Sequence, residues 1–213
     1  PGHALDLLDK AIAAQLNVPR WRVQKADLLI RLNRFQAALA SLKNALELSP
    51  DHPAYHYKLA VVHRQVTDYP TALYHAQAAL KGYLFQEQPS PQGYHQALET
   101  AAHLAAGNLQ THLAQEILQT EPPYREDQAQ DLDQTSVLCL QAELALEEDQ
   151  EVKAADLINQ LVADRPHHTR VLALQARMLL RQGNHPEAET VYQEALTSFK
   201  KGKDGKQLFP SAV

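Results

Sequence analysis

Apolar residues recur along this chain at the i, i+3, i+4, i+7 spacing that places them on one face of an α-helix. The clearest stretch is 19–52, PRWRVQKADLLIRLNRFQAALASLKNALELSPDH, which predicts two amphipathic helices. Val23, Ala26, Leu29 and Ile30 make the apolar stripe of the first; Phe35, Ala38, Leu39, Leu42, Ala45 and Leu46 make that of the second. Asn33-Arg34 marks the turn between them. Pro50-Asp51 stops the second helix, because proline cannot continue the backbone hydrogen-bond ladder. Pro53 opens the same pattern 34 residues after Pro19, a period that signals a helical repeat. Upstream, 3–15 predicts one helix with Ala4, Leu7, Leu8, Ala11 and Ile12 inward. It reads as the second helix of a repeat whose first helix is missing. With Pro1 rather than Met in first place, the chain reads as a piece of a longer polypeptide.

Laid out at a period of 34, the chain resembles the tetratricopeptide (TPR) family. That family's pattern has large residues at repeat positions 4, 7, 11 and 24, small ones at 8 and 20, alanine at 27 and proline at 32. Repeat 19–52 matches with Ala26, Leu29, Ala38, Leu42, Ala45 and Pro50, and departs at Arg22 and Lys25. Repeat 53–86 supplies Leu59, Ala60, His63, Ala72, Ala76 and Ala79, with Leu84 where proline is expected. Repeat 135–168 supplies Leu138, Ala142, Ala145, Ala154, Ile158, Leu161 and Pro166. Repeat 169–200 supplies Leu172, Ala176, Leu179, Gly183, Ala188, Tyr192 and Ala195. The small positions have a physical reason: an alanine at 8 faces one at 20, and a larger side chain there costs about 1–3 kcal/mol. The resemblance implies an all-α, right-handed α-solenoid of antiparallel helix pairs with about eleven helices, running as a single domain over 1–213.

The middle of the chain is irregular. QEQPSPQ, 86–92, is a connector rich in turn residues. Residues 93–106 and 109–120 predict a helix pair around Gly107-Asn108, a degenerate repeat (91–120) whose alanines fit only if the register slips. EPPYREDQAQDLDQ, 121–134, is an acidic, proline-containing insertion, either a functional loop or a longer solvated connection. The tail, 201–213, begins basic and ends in Leu208-Phe209-Pro210, a segment that could cap the last helix.

Composition narrows the classes of function. Of 213 residues 45% are hydrophobic and only seven are glycine, which suits an all-α core. A formal net charge of −5 gives no general attraction to nucleic acid or anionic lipid, and no apolar run approaches the roughly 20 residues of a membrane span. A single cysteine, Cys139, excludes an internal disulfide and a cysteine-based zinc site. Among eleven histidines, His56 and His63 share a helix face near His52, but in the repeat register they occupy packing positions. No HExxH, phosphate loop, Gly-x-Ser-x-Gly or Cys–His arrangement occurs. Neither catalysis, a cofactor nor a metal site is expected.

The resemblance implies that first helices line a groove, with positions 2, 5, 6, 9, 12 and 13 facing a protein or peptide partner. These positions hold Arg20, Gln24, Asp27 and Arg31, then Tyr57, Lys58, Arg64 and Gln65. The degenerate repeat adds His95, Glu99 and His103, the next Cys139, Glu143 and Glu147, and the last Arg170, Arg177 and Arg181. Arginines so placed can hold carboxylates bidentately. The same residues also suit ordinary solvated faces with i,i+4 pairs, such as Asp27 with Arg31. The chaperone-tail clamp of some TPR domains is not supported: its lysine and two asparagines fall on Val23, Asp27 and Lys58. The expected role is a non-catalytic interaction scaffold. A recognition arm of a larger enzyme and self-assembly through an exposed terminal helix stand as alternatives.

Overall fold

The computed structural model describes residues 2–125 and 132–200. They form eleven helices and, among the described residues, no strand. The chain divides into two compact units, meeting between Leu132 and Asp133. The N-terminal unit holds α1 (Gly2–Ala14), α2 (Pro19–Arg31), α3 (Phe35–Leu48), α4 (Pro53–Gln65), α5 (Tyr69–Leu84), α6 (Pro91–Gly107) and α7 (Thr111–Leu118). The C-terminal unit holds α8 (Thr135–Glu147), α9 (Glu151–Asp164), α10 (Thr169–Arg181) and α11 (His185–Lys200). The expected all-α solenoid of helix pairs is the fold that forms. Residues 126–131 of the acidic insertion and the tail from 201 lie outside the described residues.

Each pair closes with the same turn. Asn33, Thr67, Leu109, Asp149 and Gly183 all adopt positive φ, between 56° and 77°. In each case the next residue's N–H donates to the carbonyl five residues back: Arg34 to Leu29, Asp68 to His63, Gln110 to Ala105, Gln150 to Ala145 and Asn184 to Leu179. This bond closes a Schellman motif and satisfies carbonyls that a helix end leaves without partners. The five turns therefore provide a phase marker independent of the sequence pattern.

That marker resolves the degenerate repeat. Thr67 to Leu109 spans 42 residues rather than 34, so the register slips by eight. Counted from Leu109, position 8 is Ala102 and position 20 is Ala114. The five alanine pairs are then Ala26/Ala38, Ala60/Ala72, Ala102/Ala114, Ala142/Ala154 and Ala176/Ala188, and all ten side chains are fully buried. The eight residues are taken up by the connector and by four extra residues at the start of α6. The turn lies one residue later than Gly107-Asn108 suggests: Gly107 ends the helix, Asn108 caps it and Leu109 takes the left-handed conformation. The second helix of this pair is also shorter than 109–120, being only Thr111–Leu118.

Local chemistry fixes the helix starts. Pro19, Pro53 and Pro91 open α2, α4 and α6, where a missing N–H costs nothing. Asp68 and Ser90 accept from the backbone N–H of Thr71 and Gly93 to cap α5 and α6. Gly93 also permits close packing, since a Cβ there would lie 2.5 Å from the Tyr83 hydroxyl. After α7 the chain is tied back to α6, because the Tyr94 hydroxyl donates to the carbonyls of Thr120 and Glu121. The Tyr124 ring meets that of Tyr94 edge-on at 5.6 Å, so the beginning of the insertion packs on the repeat.

Candidate interaction faces

In the N-terminal unit the first helices α2, α4 and α6 carry the predicted residues. Their apolar stripes are buried: Val23, Ala26 and Leu29 of α2 share one core with Leu59 and Val62 of α4. The opposite stripe is polar. Asp27 is paired with Lys58 of the next repeat at 2.5 Å, not with Arg31 four residues along its own helix. The Tyr57 hydroxyl is hydrogen-bonded to Thr100 of α6, and burial raises its pKa. Arg64 lies close to Tyr57. Glu99 approaches His103 at 4.0 Å. With the phase set by Leu109, Glu99 falls at position 5 and His103 at 9, whereas half-buried His95 falls at position 1. Arg20, Arg31 and Gln65 are exposed, and Gln24 and Arg64 are half-buried. Among the described residues, none of the three arginines has a carboxylate partner.

The C-terminal unit carries a different balance on α8 and α10. Arg170 grips Glu143 with two parallel bonds, Nε at 3.0 Å and Nη2 at 2.8 Å. Both side chains are about a quarter exposed, 24% and 27%, where a bidentate, charge-assisted pair keeps more of its strength than at an open surface. Arg181 reaches Asp149 in the α8–α9 turn at 2.6 Å. Of the three predicted arginines, only half-buried Arg177 has no carboxylate partner among the described residues. Cys139 falls at a face position in the repeat register but at an apolar place in its helix, where a small buried thiol is the default, and it lies in the core with Ala142, Ile158, Leu161 and Leu174. Position 5 of this repeat packs inward, as Val23 does in the first. Burial pushes the Cys139 thiol up to about 11, which removes it from thiolate chemistry at neutral pH.

The sequence reading missed His75. It lies on α5, buried, 2.9 Å from His56 and with its ring against that of His63. Nothing in the pattern of α5 separates it from an ordinary interior position; only the packing of α4 on α5 brings the rings together. Among the described residues no group of His, Cys, Asp or Glu has the arrangement to hold a metal ion. No described helix is long and apolar enough to cross a membrane.

The tetratricopeptide repeat model matches residues 23–90 and 140–203. The chain belongs to the tetratricopeptide repeat family. Solved structures agree on the TPR fold. YrrB, described as a TPR protein with an unusual peptide-binding site, has a TM-score of 0.68 at 17% identity, over 92% of this chain and 93% of that one. MamA from Desulfovibrio magneticus RS-1 has 0.67 at 14%, over 87% and 97%. PilW, a type IV pilus biogenesis factor, has 0.67 at 14%, over 92% and 85%. No curated protein sequence matches the chain. TPR arrays are in general protein-interaction scaffolds.

Proposed function

We propose that this TPR chain is a non-catalytic scaffold that holds an extended, acidic peptide segment of a partner protein on the first-helix face of its N-terminal unit. One observation carries the reading: Asp27 is taken up by Lys58, while among the described residues Arg20, Arg31 and Arg64 on the same face have no carboxylate partner. Guanidinium groups present planar donor pairs that match carboxylates. Tyr57, Gln24 and Gln65 add neutral donors and acceptors beside them, suited to the backbone of an extended peptide. The peptide-binding site named for YrrB adds support at the level of the fold.

The test uses a fluorescein-labelled, Glu-rich dodecapeptide and its Gln-substituted counterpart, read by anisotropy. The acidic peptide binds, and its affinity falls as salt screens the contact. Combined Arg20→Glu, Arg31→Glu and Arg64→Glu abolishes binding while the helical circular dichroism is unchanged. If the triple variant binds as well as the original chain, the assignment to this face is wrong. If neither peptide binds, the peptide-groove reading itself fails.

A further inference from the structure

The histidines of the second repeat form a closed network whose proton positions the geometry dictates. The Pro50 carbonyl can only accept, so His56 Nε2 carries a proton and donates to it across 2.9 Å. A neutral His56 therefore has a bare Nδ1, and this nitrogen accepts from His75 Nδ1, also 2.9 Å away. His75 is thus the Nδ1–H tautomer. The Asp68 carboxylate fixes His63 in the same way: Nδ1 donates to it at 3.0 Å, and the bare Nε2 is buried without a partner. His63 and His75 stack with ring centroids 5.6 Å apart.

This arrangement tolerates one added proton between His56 and His75, but not two. With both rings protonated, an N–H would point at an N–H across 2.9 Å. The other titratable groups facing His75 are His63 from α4, Lys43 from α3 and Asp68 from the α4–α5 turn; only Asp68 favours a cation there. We propose that the His56–His63–His75 cluster is an acid-sensitive latch between α4 and α5, which releases the α4 face as the pH falls. This regulation rests on the reading of α4 as part of the partner-binding face, since Tyr57, Lys58 and Arg64 project from the helix that carries His56 and His63.

The direction follows from linkage. Burial, then Coulomb repulsion from His56, His63 and Lys43, lowers the His75 pKa from 6.5 to about 4. An opened helix pair returns it to about 6.5, so the open state binds more protons between those values. Protection is complete above pH 6.5 and is lost as the pH falls from 6.5 towards 4.

Amide hydrogen exchange on the full, unliganded chain at pH 7.5 and 5.0, corrected for intrinsic rates, tests the latch without reference to any peptide. The α4–α5 amides lose about thirtyfold in protection at pH 5.0 relative to those of α8–α9. His75→Leu removes this difference. The ring signals of His75 titrate well below 6.5 by NMR, a readout that stands even if the variant does not fold. Equal losses in both helix pairs, an unchanged pH response in folded His75→Leu, or a His75 titration at 6.5 would each overturn the proposal. Peptide binding that fails while the latch behaves as stated would count against the partner-binding face alone.

Discussion

In the C-terminal unit Glu143 and Asp149 take up Arg170 and Arg181. In the N-terminal unit Asp27 pairs with Lys58, and among the described residues Arg20, Arg31 and Arg64 have no carboxylate partner. The repeat positions explain the contrast. The Asp149–Arg181 pair joins position 15 of one repeat to position 13 of the next; the corresponding residues of the first two repeats are Asn33 and Gln65, which carry no charge. Position 9 is acidic in both, but Glu143 meets an arginine at position 2, whereas the residue at position 2 of the second repeat is Ala54 and Asp27 pairs with Lys58 at position 6. Among the described residues, two of the three arginines on the first helices of the C-terminal unit pair across repeats, whereas in the N-terminal unit a lysine makes that link and the three arginines do not.

The strongest way to break this contrast is to reverse the charges on each face in turn. Replacing Arg20, Arg31 and Arg64 with glutamate weakens acidic-peptide binding by at least a hundredfold, close to 3 kcal/mol, with no loss of thermal stability. Arg170→Glu does the opposite. It places a second carboxylate against Glu143 and lowers the stability of the C-terminal unit by about 1–2 kcal/mol in urea unfolding, while peptide binding is unchanged. A loss of binding in Arg170→Glu and not in the triple variant would invert the assignment of the two faces.

Packing gives a second comparison of similar size. Ala114 and Ala154 occupy position 20 in the slipped and regular repeats, so leucine at either costs about 1–3 kcal/mol by chemical denaturation. Leucine at half-buried Ala106, position 12 of the slipped repeat, changes stability by no more than about 0.5 kcal/mol. A neutral Ala114→Leu would reject the eight-residue offset.

The smallest effect concerns the turns. Leu109 holds a left-handed conformation that disfavours any residue with a Cβ, whereas Gly183 holds it freely. Leu109→Gly raises the unfolding free energy by about 0.5 kcal/mol, and Gly183→Ala lowers it by about 1 kcal/mol. Equal responses at the two turns would show that they do not share the motif.

The chain's own pattern determines a great deal. Helical periodicity, the 34-residue interval and the alanines at positions 8 and 20 specify stacked antiparallel pairs, because only side chains as small as these let backbones approach closely. Asn33 and Gly183 even mark their turns. Leu109 conceals its turn, since Gly107 and Asn108 just before it are the residues that ordinarily signal one; the register of α6 and α7 emerged from backbone hydrogen bonds. The polar stripe of each first helix was legible only in part: it follows from the 3.6-residue turn, but Cys139 packs inward and the stripe of α6 moves with its register. The pairings on that face were not legible. Asp27 had Arg31 within reach on its own helix and chose Lys58, 31 residues away; Glu143 and Arg170 are 27 apart, and His56 and His75 19 apart. Periodicity specifies which way a side chain points. Which opposite group it meets depends on how far neighbouring helices slide and separate as their cores pack, and only the tertiary structure decided that.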